Sequence, residues 1–297
     1  MPLSPLKSVS KIALGTAQFG LSYGVANQSG QIQLSDGAGI LKEARIQGID
    51  TLDTAIAYGN SEAGLGEIGV SEFNVVSKLP PVPDGVEVSS WVLNQILSSL
   101  KRLNIETLDG LLLHQPSQLS SDIGQELFKA LLTAKDQCLV KKIGISIYDP
   151  SELDLILKRF SLDIIQAPLN LIDRRLITSG WLNKLKDLGI EVHTRSAFLQ
   201  GLLLMDRQLI PEYFSQWDTL WDTWQADLEN STLNALQHCL AYPLSFDGVD
   251  RVVVGVDGID QLKEILSAAK TINLSVTHSE IQSEDLDLIN PSLWRVN

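Results

Sequence analysis

The sequence predicts an α/β protein, a (β/α)8 TIM barrel with parallel strands, and three observations carry that prediction. Eight short apolar runs alternate with helical patterns along the chain. Each run is nearly continuous in apolar residues, as in strands covered on both faces, and does not alternate as a one-sided sheet would. The length of 297 residues suits a closed barrel, which typically needs about 250. An open doubly wound sheet is the rival architecture. It would normally carry a Gly-x-Gly-x-x-Gly turn after its first strand, and Gly15-Thr16-Ala17-Gln18-Phe19-Gly20 lacks the middle glycine. The expectation is one barrel domain over residues 1–297, with an insertion at about 197–248 after strand seven.

Strand one is Lys11 to Ala17. Ser35 is expected to cap the next helix, whose buried stripe includes Ile40, Leu41 and Ala44 and which Gly48 stops. Ile49 to Leu52 forms strand two, and a short helix starts near Ser61. Phe73 to Lys78 is strand three. Leu79-Pro80-Pro81-Val82-Pro83 cannot continue a ladder and is read as loop. Leu93, Ile96, Leu97, Leu100 and Leu103 recur at helical spacing and lead into strand four, which ends at His114. A helix over about Asp122 to Lys135 precedes strand five, Val140 to Ile147. Asp149-Pro150-Ser151-Glu152 combines a cap, a proline at the first helical position and a glutamate three residues on, a strong helix start. Ile164 to Asn170 is strand six, Ile190 to Ser196 strand seven and Arg251 to Val256 strand eight. Final helices are expected from about Asp260 and about Ser279.

Composition bounds the function. A hydrophobic fraction of 44% with 20% charged residues describes a folded globular chain. The net charge of -13 repels nucleic acid and anionic membranes, so neither is an expected partner. No apolar run approaches the 18 or so residues of a membrane span, and Met1 to Ser10 lacks the pattern of a secretory signal. Cys138 and Cys239 make neither a disulfide framework nor a metal pattern and are expected to be buried fillers. A cytoplasmic protein is the reading; its oligomeric state is not legible.

The chemistry gathers at strand ends. Asp53 closes strand two, Tyr58 follows in its loop, Lys78 closes strand three and His114 closes strand four. A phenol has an ordinary pKa near 10, so a catalytic tyrosine needs a cation to favour its phenolate. If the four side chains meet at one mouth, Lys78 pairs with Asp53 and lowers the pKa of Tyr58, which then protonates a carbonyl oxygen while His114 orients the carbonyl. Singly, each has a duller reading: a core histidine, a snorkelling lysine, a turn-capping aspartate. Their joint placement favours chemistry. No metal is required, and no metal-ligand spacing is present.

The stretch Asp53-Thr54-Ala55-Ile56-Ala57-Tyr58-Gly59-Asn60-Ser61-Glu62, followed by Leu65-Gly66, resembles the signature of the aldo-keto reductase family, and Gly201-Leu202-Leu203 after strand seven matches as well. The resemblance runs from about residue 11 to residue 270. It implies a barrel enzyme reducing an aldehyde or ketone with an extended nicotinamide cofactor at its C-terminal mouth, Tyr58 being the proton donor, Lys78 and Asp53 tuning it and His114 orienting the substrate. It implies further that Gly15, Thr16 and Ala17 adjoin the cofactor, that Ser146 and Gln166 hold the nicotinamide carboxamide, that Asn170, matching the family's strand-six asparagine, belongs to the cofactor site, and that Ser196, Gln200 and Gly201 wrap the pyrophosphate. Gly255 begins the adenosine-phosphate segment.

The departures from that pattern concern the cofactor. Ile147 stands where many members have asparagine, and Arg195 where a tyrosine often stacks on the nicotinamide. Gly255, Val256 and Gln261 replace lysine, serine and arginine of members selective for the 2'-phosphate, and Asp257 is acidic. NADP(H) is the family default and NAD(H) the alternative. Three functions stay open: an NAD(P)H-dependent carbonyl reductase, with a sugar-type substrate suggested by Gln115, Asn170 and Asp173; a cofactor-binding regulatory subunit without significant turnover; and an enzyme that transiently oxidises a sugar with tightly held cofactor. Trp217, Trp221 and Trp224, at helical spacing in the insertion, form either a lid or packing against the barrel or a partner, and Trp294 is equally ambiguous.

Overall fold

The computed structural model describes residues 5–272 and 281–295. Eight parallel strands close into a barrel in sequence order: β1 (Ile12–Gly15), β2 (Thr51–Asp53), β3 (Asn74–Leu79), β4 (Leu108–Leu113), β5 (Val140–Ser146), β6 (Ile164–Pro168), β7 (Glu191–Arg195) and β8 (Arg251–Val254). β8 returns to β1 through Ile12 opposite Val252 and Leu14 opposite Val254. Closure leaves no strand edge unpaired. Helix α1 (Pro5–Ser10) precedes the barrel, where no helix was expected. Around it run α2 (Leu34–Ile46), α3 (Ser61–Ile68), α4 (Val88–Leu103), α5 (Gly124–Asp136), α6 (Leu153–Ile156), α7 (Arg175–Thr178), α8 (Trp181–Asp187), α9 (Asp218–Glu229), α10 (Ala235–Leu244), α11 (Ile259–Thr271) and α12 (Leu286–Ile289).

Local chemistry explains most boundaries. Asp149 and Glu152 form the reciprocal capping box that the sequence announces. Ser35 does not cap α2: the helix begins at Leu34, with Gln33 in the cap position and no side-chain cap bond. The buried stripe of α4 is Val88, Val92, Ile96, Leu100 and Leu103, and Leu97 faces solvent at 46% exposure. Ile96, Leu100 and Leu103 are buried as expected, while Val92 and Ser99 take the inward places expected of Leu93 and Leu97, Ser99 donating to Glu62. Cys138 is not a buried filler. It follows the α5 C-terminus with φ 59°, and its neighbour Leu139 bonds back to Ala134, so it occupies the left-handed exit position and its side chain is exposed. Cys239 is buried, and burial pushes its thiol up. The helix expected from about Ser279 starts outside the described residues.

Side chains alternate along each strand, so Val75, Ser77 and Leu79 of β3 face the helices while Val76 and Lys78 face the barrel axis. Val76 packs there with Leu112 and Ile164, a small cluster separate from the large core between sheet and helices. Above that cluster, toward the strands' C-terminal ends, the barrel interior turns polar.

Between β7 and β8 the chain makes three short 3-10 turns, then α9 and α10. Trp221 and Trp224 are buried, their indole N–H groups donating to the Phe214 and Leu203 carbonyls at 2.9 and 3.2 Å. Trp217 donates to Asp285 at 3.0 Å, and Trp294 stands edge-on to Phe214. Trp217 and Trp294 join the insertion to the C-terminal segment, while Trp221 and Trp224 pack within the insertion. None of them lines the barrel mouth.

Candidate active site

The stretch from Asp53 to Glu62 builds the mouth residue by residue. Asp53 ends β2 facing inward, and its Oδ1 accepts from Lys78 Nζ at 2.6 Å. The same ammonium donates to the Thr54 carbonyl at 2.9 Å and reaches the Tyr58 hydroxyl at 3.5 Å, its charge lying 5.1 Å from the phenol ring centre. Ser61 anchors the loop by donating to the Thr16 carbonyl at 2.8 Å. Gly59, at φ 54°, and Gly20 meet backbone to backbone: a Cβ on Gly20 would stand 1.8 Å from the Tyr58 carbonyl, so only glycine lets the two loops lock Tyr58 in place. Glu62, 2% exposed, accepts from Ser77, Ser99 and, in a fork, Arg102, tying the loop to β3 and α4.

Lys78 is 1% exposed and Asp53 4%. Burial pushes the Lys78 ammonium down, but the adjoining Asp53 carboxylate and the Tyr58 oxygen outweigh it and hold the lysine above its ordinary value. A buried polar chain continues behind: Gln166 donates to Asp53 Oδ2 at 2.6 Å, and Ser146 donates to Gln166 at 3.0 Å. His114 lies just past β4 with its ring edge-on to Tyr58 at 6.1 Å. Burial, then the charges of Lys78 and Arg195, lower its pKa to about 4, so the imidazole is neutral at physiological pH.

That neutrality has a measurable consequence. The His114 ring resonances should hold their neutral positions from neutral pH down to about 5 and move only near 4; an NMR midpoint near 6.5 would contradict the site as described. Because the folded value lies below the unfolded one, the fold favours the neutral ring. Its contribution to stability is complete above the ordinary histidine range and is lost as pH falls toward 4.

Tyr58 and Asp53 line one end of a cleft of about 490 Å3. Of the other residues singled out in the sequence, Gly15, Thr16, Ala17, Arg195, Ser196, Gln200, Gly201, Gly255, Asp257 and Gln261 line it too. Lys78 stands behind Asp53 and Tyr58. Ser146 and Gln166 are spent on the buried chain, and Val256 is 1% exposed. Asn170 is fully buried: it accepts from the Ile172 and Asp173 N–H groups and donates to the Ser196 carbonyl, shaping a turn. Asp173 is likewise enclosed, paired with Arg175. Of Gln115, Asn170 and Asp173, only Gln115 is exposed. Arg195 spreads its guanidinium over the Tyr148 ring at 4.4 Å and donates to the Ile147 carbonyl at 3.0 Å.

The loop after β7 carries unusual backbone. Ser196, Leu199 and Gln200 have φ of 62°, 47° and 53°, with Gly201 following at 89°. Non-glycine residues in that region cost about 1–2 kcal/mol each, strain of the kind that collects at functional loops. Several cleft residues escaped the sequence reading, Glu264 of α11 among them. Gln18, Tyr23 and Asn27 belong to the long connection between β1 and α2, where Asn27 donates to Asp257 at 2.9 Å and Gln200 donates to the Tyr23 hydroxyl at 3.3 Å. The length of that connection, unusual within a compact barrel, was the available signal. Among the described residues, no group of three or more histidine, cysteine or acidic side chains could hold a metal ion, and no helix is long and apolar enough to cross a membrane.

A family model described as the aldo/keto reductase family matches residues 11–283. An uncharacterized oxidoreductase of Bacillus subtilis, YqkF, is 26% identical over 92% of this chain and 94% of its own length. An NADH-specific methylglyoxal reductase of Escherichia coli is 24% identical over 93% and 94%. Among solved structures, the holo form of the aldo-keto reductase AKR11C1 from Bacillus halodurans superposes with a TM-score of 0.69, at 22% identity over 90% of this chain and 87% of that one, a likeness of fold.

Proposed function

The chain belongs to the aldo/keto reductase family, and from that premise we propose that it reduces an aldehyde or ketone to the alcohol with a reduced nicotinamide dinucleotide, Tyr58 giving the proton. The observation that carries this reading is the buried Lys78 ammonium, held by Asp53 at 2.6 Å and facing the Tyr58 hydroxyl at 3.5 Å on the wall of the cleft. The cleft suits the dinucleotide. Its volume lies within the range of about 300–1,000 Å3 usual for cofactor sites, and it runs from Tyr58 to α11 between the loops after β1, β7 and β8.

When bound, the dinucleotide supplies the hydride that the carbonyl carbon accepts. The chain's own residues manage the rest. The neutral His114 ring offers an N–H to the carbonyl oxygen and orients it. Tyr58 hands its phenolic proton to that oxygen, and the negative charge left on the phenolate falls beside the Lys78 ammonium, which stabilises it. Asp53 keeps the lysine charged and aimed; Gln166 and Ser146 keep Asp53 aimed in turn. Solvent then reprotonates Tyr58. Ser196, Gln200 and Gly201 would hold the diphosphate, and Gly255 to Gln261 the adenosine end.

The test is turnover across a broad panel of aldehydes, ketones and sugars, followed by the loss of reduced-nicotinamide absorbance. Consumption with formation of the matching alcohol is the expected result. Cofactor binding without consumption across the panel would sink it and return the regulatory-subunit alternative.

A further inference from the structure

We propose that the end of the cleft remote from Tyr58 selects NAD(H) over NADP(H), with Asp257 and Glu264 deciding the choice; this rests on the nicotinamide-dependent reading above. The cleft has two ends. Tyr58 and Asp53 line one, and Asp257, Gln261, Glu264 and Ile265 line the other. A dinucleotide that delivers hydride beside Tyr58 therefore lays its adenosine ribose against the second end. The two cofactors differ there alone, by a phosphate on the ribose 2'-oxygen carrying roughly -1.5 to -2 charge near pH 7.

Among the described residues, no cationic side chain lines that end. Among the described residues Arg195 is the single lysine or arginine lining the cleft, and it is tethered to the Ile147 carbonyl and the Tyr148 ring, where its charge acts on His114. A neighbouring hollow of about 440 Å3 shares Asp257 and Gln261 and adds Asp36 and Asp260, again with no lysine or arginine. Lys263 lines neither cavity and leans on Asp260 at 3.9 Å. The N-terminus of α11 offers about half a positive charge, but Asp260 in its first turn and Asp257 just before it offset that.

The same carboxylates suit a free ribose diol. Asp257 accepts amides from Asn27, at 2.9 Å, and Gln261, at 3.5 Å, and Gln18 bonds to it as well. A carboxylate offers about four acceptor directions, so a ribose hydroxyl can still donate to it. A 2'-phosphate brings no such donors and meets like charge. This reverses the default that family resemblance alone suggests.

Calorimetric titration of the intact protein with NADH and with NADPH tests the proposal without any carbonyl substrate. NADH should bind at least about tenfold more tightly at moderate salt, the scale of like-charge repulsion near a protein surface. The double variant Asp257→Asn with Glu264→Gln, which keeps shape and removes charge, should shrink that ratio by about tenfold, and raised salt should shrink it in the unaltered protein. NADPH binding as tightly as NADH, or a ratio unmoved in the variant, would overturn the selection while leaving the reductase reading in place. Binding of neither cofactor would overturn both.

Discussion

Tyr58→Phe is expected to abolish carbonyl reduction almost entirely, lowering kcat by about a hundredfold to ten-thousandfold, the usual worth of a positioned general acid. Phenylalanine keeps the ring that Lys78 faces at 5.1 Å and that meets His114 edge-on. The loop around it stays locked through Gly20, Gly59 and Ser61. What disappears is one oxygen and its proton. Cofactor affinity, measured by titration, should therefore change by no more than about threefold if, as proposed, that oxygen acts on the carbonyl and not on the dinucleotide. Initial rates at saturating cofactor decide it: a variant retaining turnover within tenfold of the parent would remove Tyr58 from the proton-donor role.

Lys78→Met should cost both activity and stability, for different reasons. The lysine and Asp53 form an ion pair with side chains 1% and 6% exposed. Removing one partner leaves Asp53 charged, buried and reduced to its bond from Gln166, a loss on the order of 3–5 kcal/mol. Turnover should fall at least as far as in Tyr58→Phe, since no cation then stabilises the phenolate. The double variant Lys78→Met with Asp53→Asn separates the two effects. It removes the stranded charge, so denaturant unfolding should recover much of the lost stability while turnover stays absent. Recovery of activity along with stability would mean that Lys78 is only a structural strut.

Both predictions concern an arrangement that was only half visible along the chain. The alternation of apolar runs with helical patterns, the capping box at Asp149 and Glu152, and the eight strands in order were legible because each is written in neighbouring residues. Departures were small and local: Val92 and Ser99 face inward on α4 in place of Leu93 and Leu97, and Cys138 occupies a left-handed helix exit that glycine usually takes.

The order of Asp53, Tyr58, Lys78 and His114 along successive strand ends was likewise set by the sequence, because the period-two pleat points alternate residues into the barrel and parallel strands bring their C-terminal ends to one rim. Distance and enclosure were settled only by tertiary structure. Closing the sheet drove Lys78 onto Asp53 and beneath Tyr58, turned Gln166 and Ser146 inward as props for Asp53, and buried Asn170 and Asp173 in turns away from solvent. It also folded the connection after β1 across the mouth until Asn27 met Asp257, residues 230 apart in the chain. Contacts between such distant residues leave no local pattern to read; they exist only because a closed barrel has one interior and one rim on which remote loops must pack.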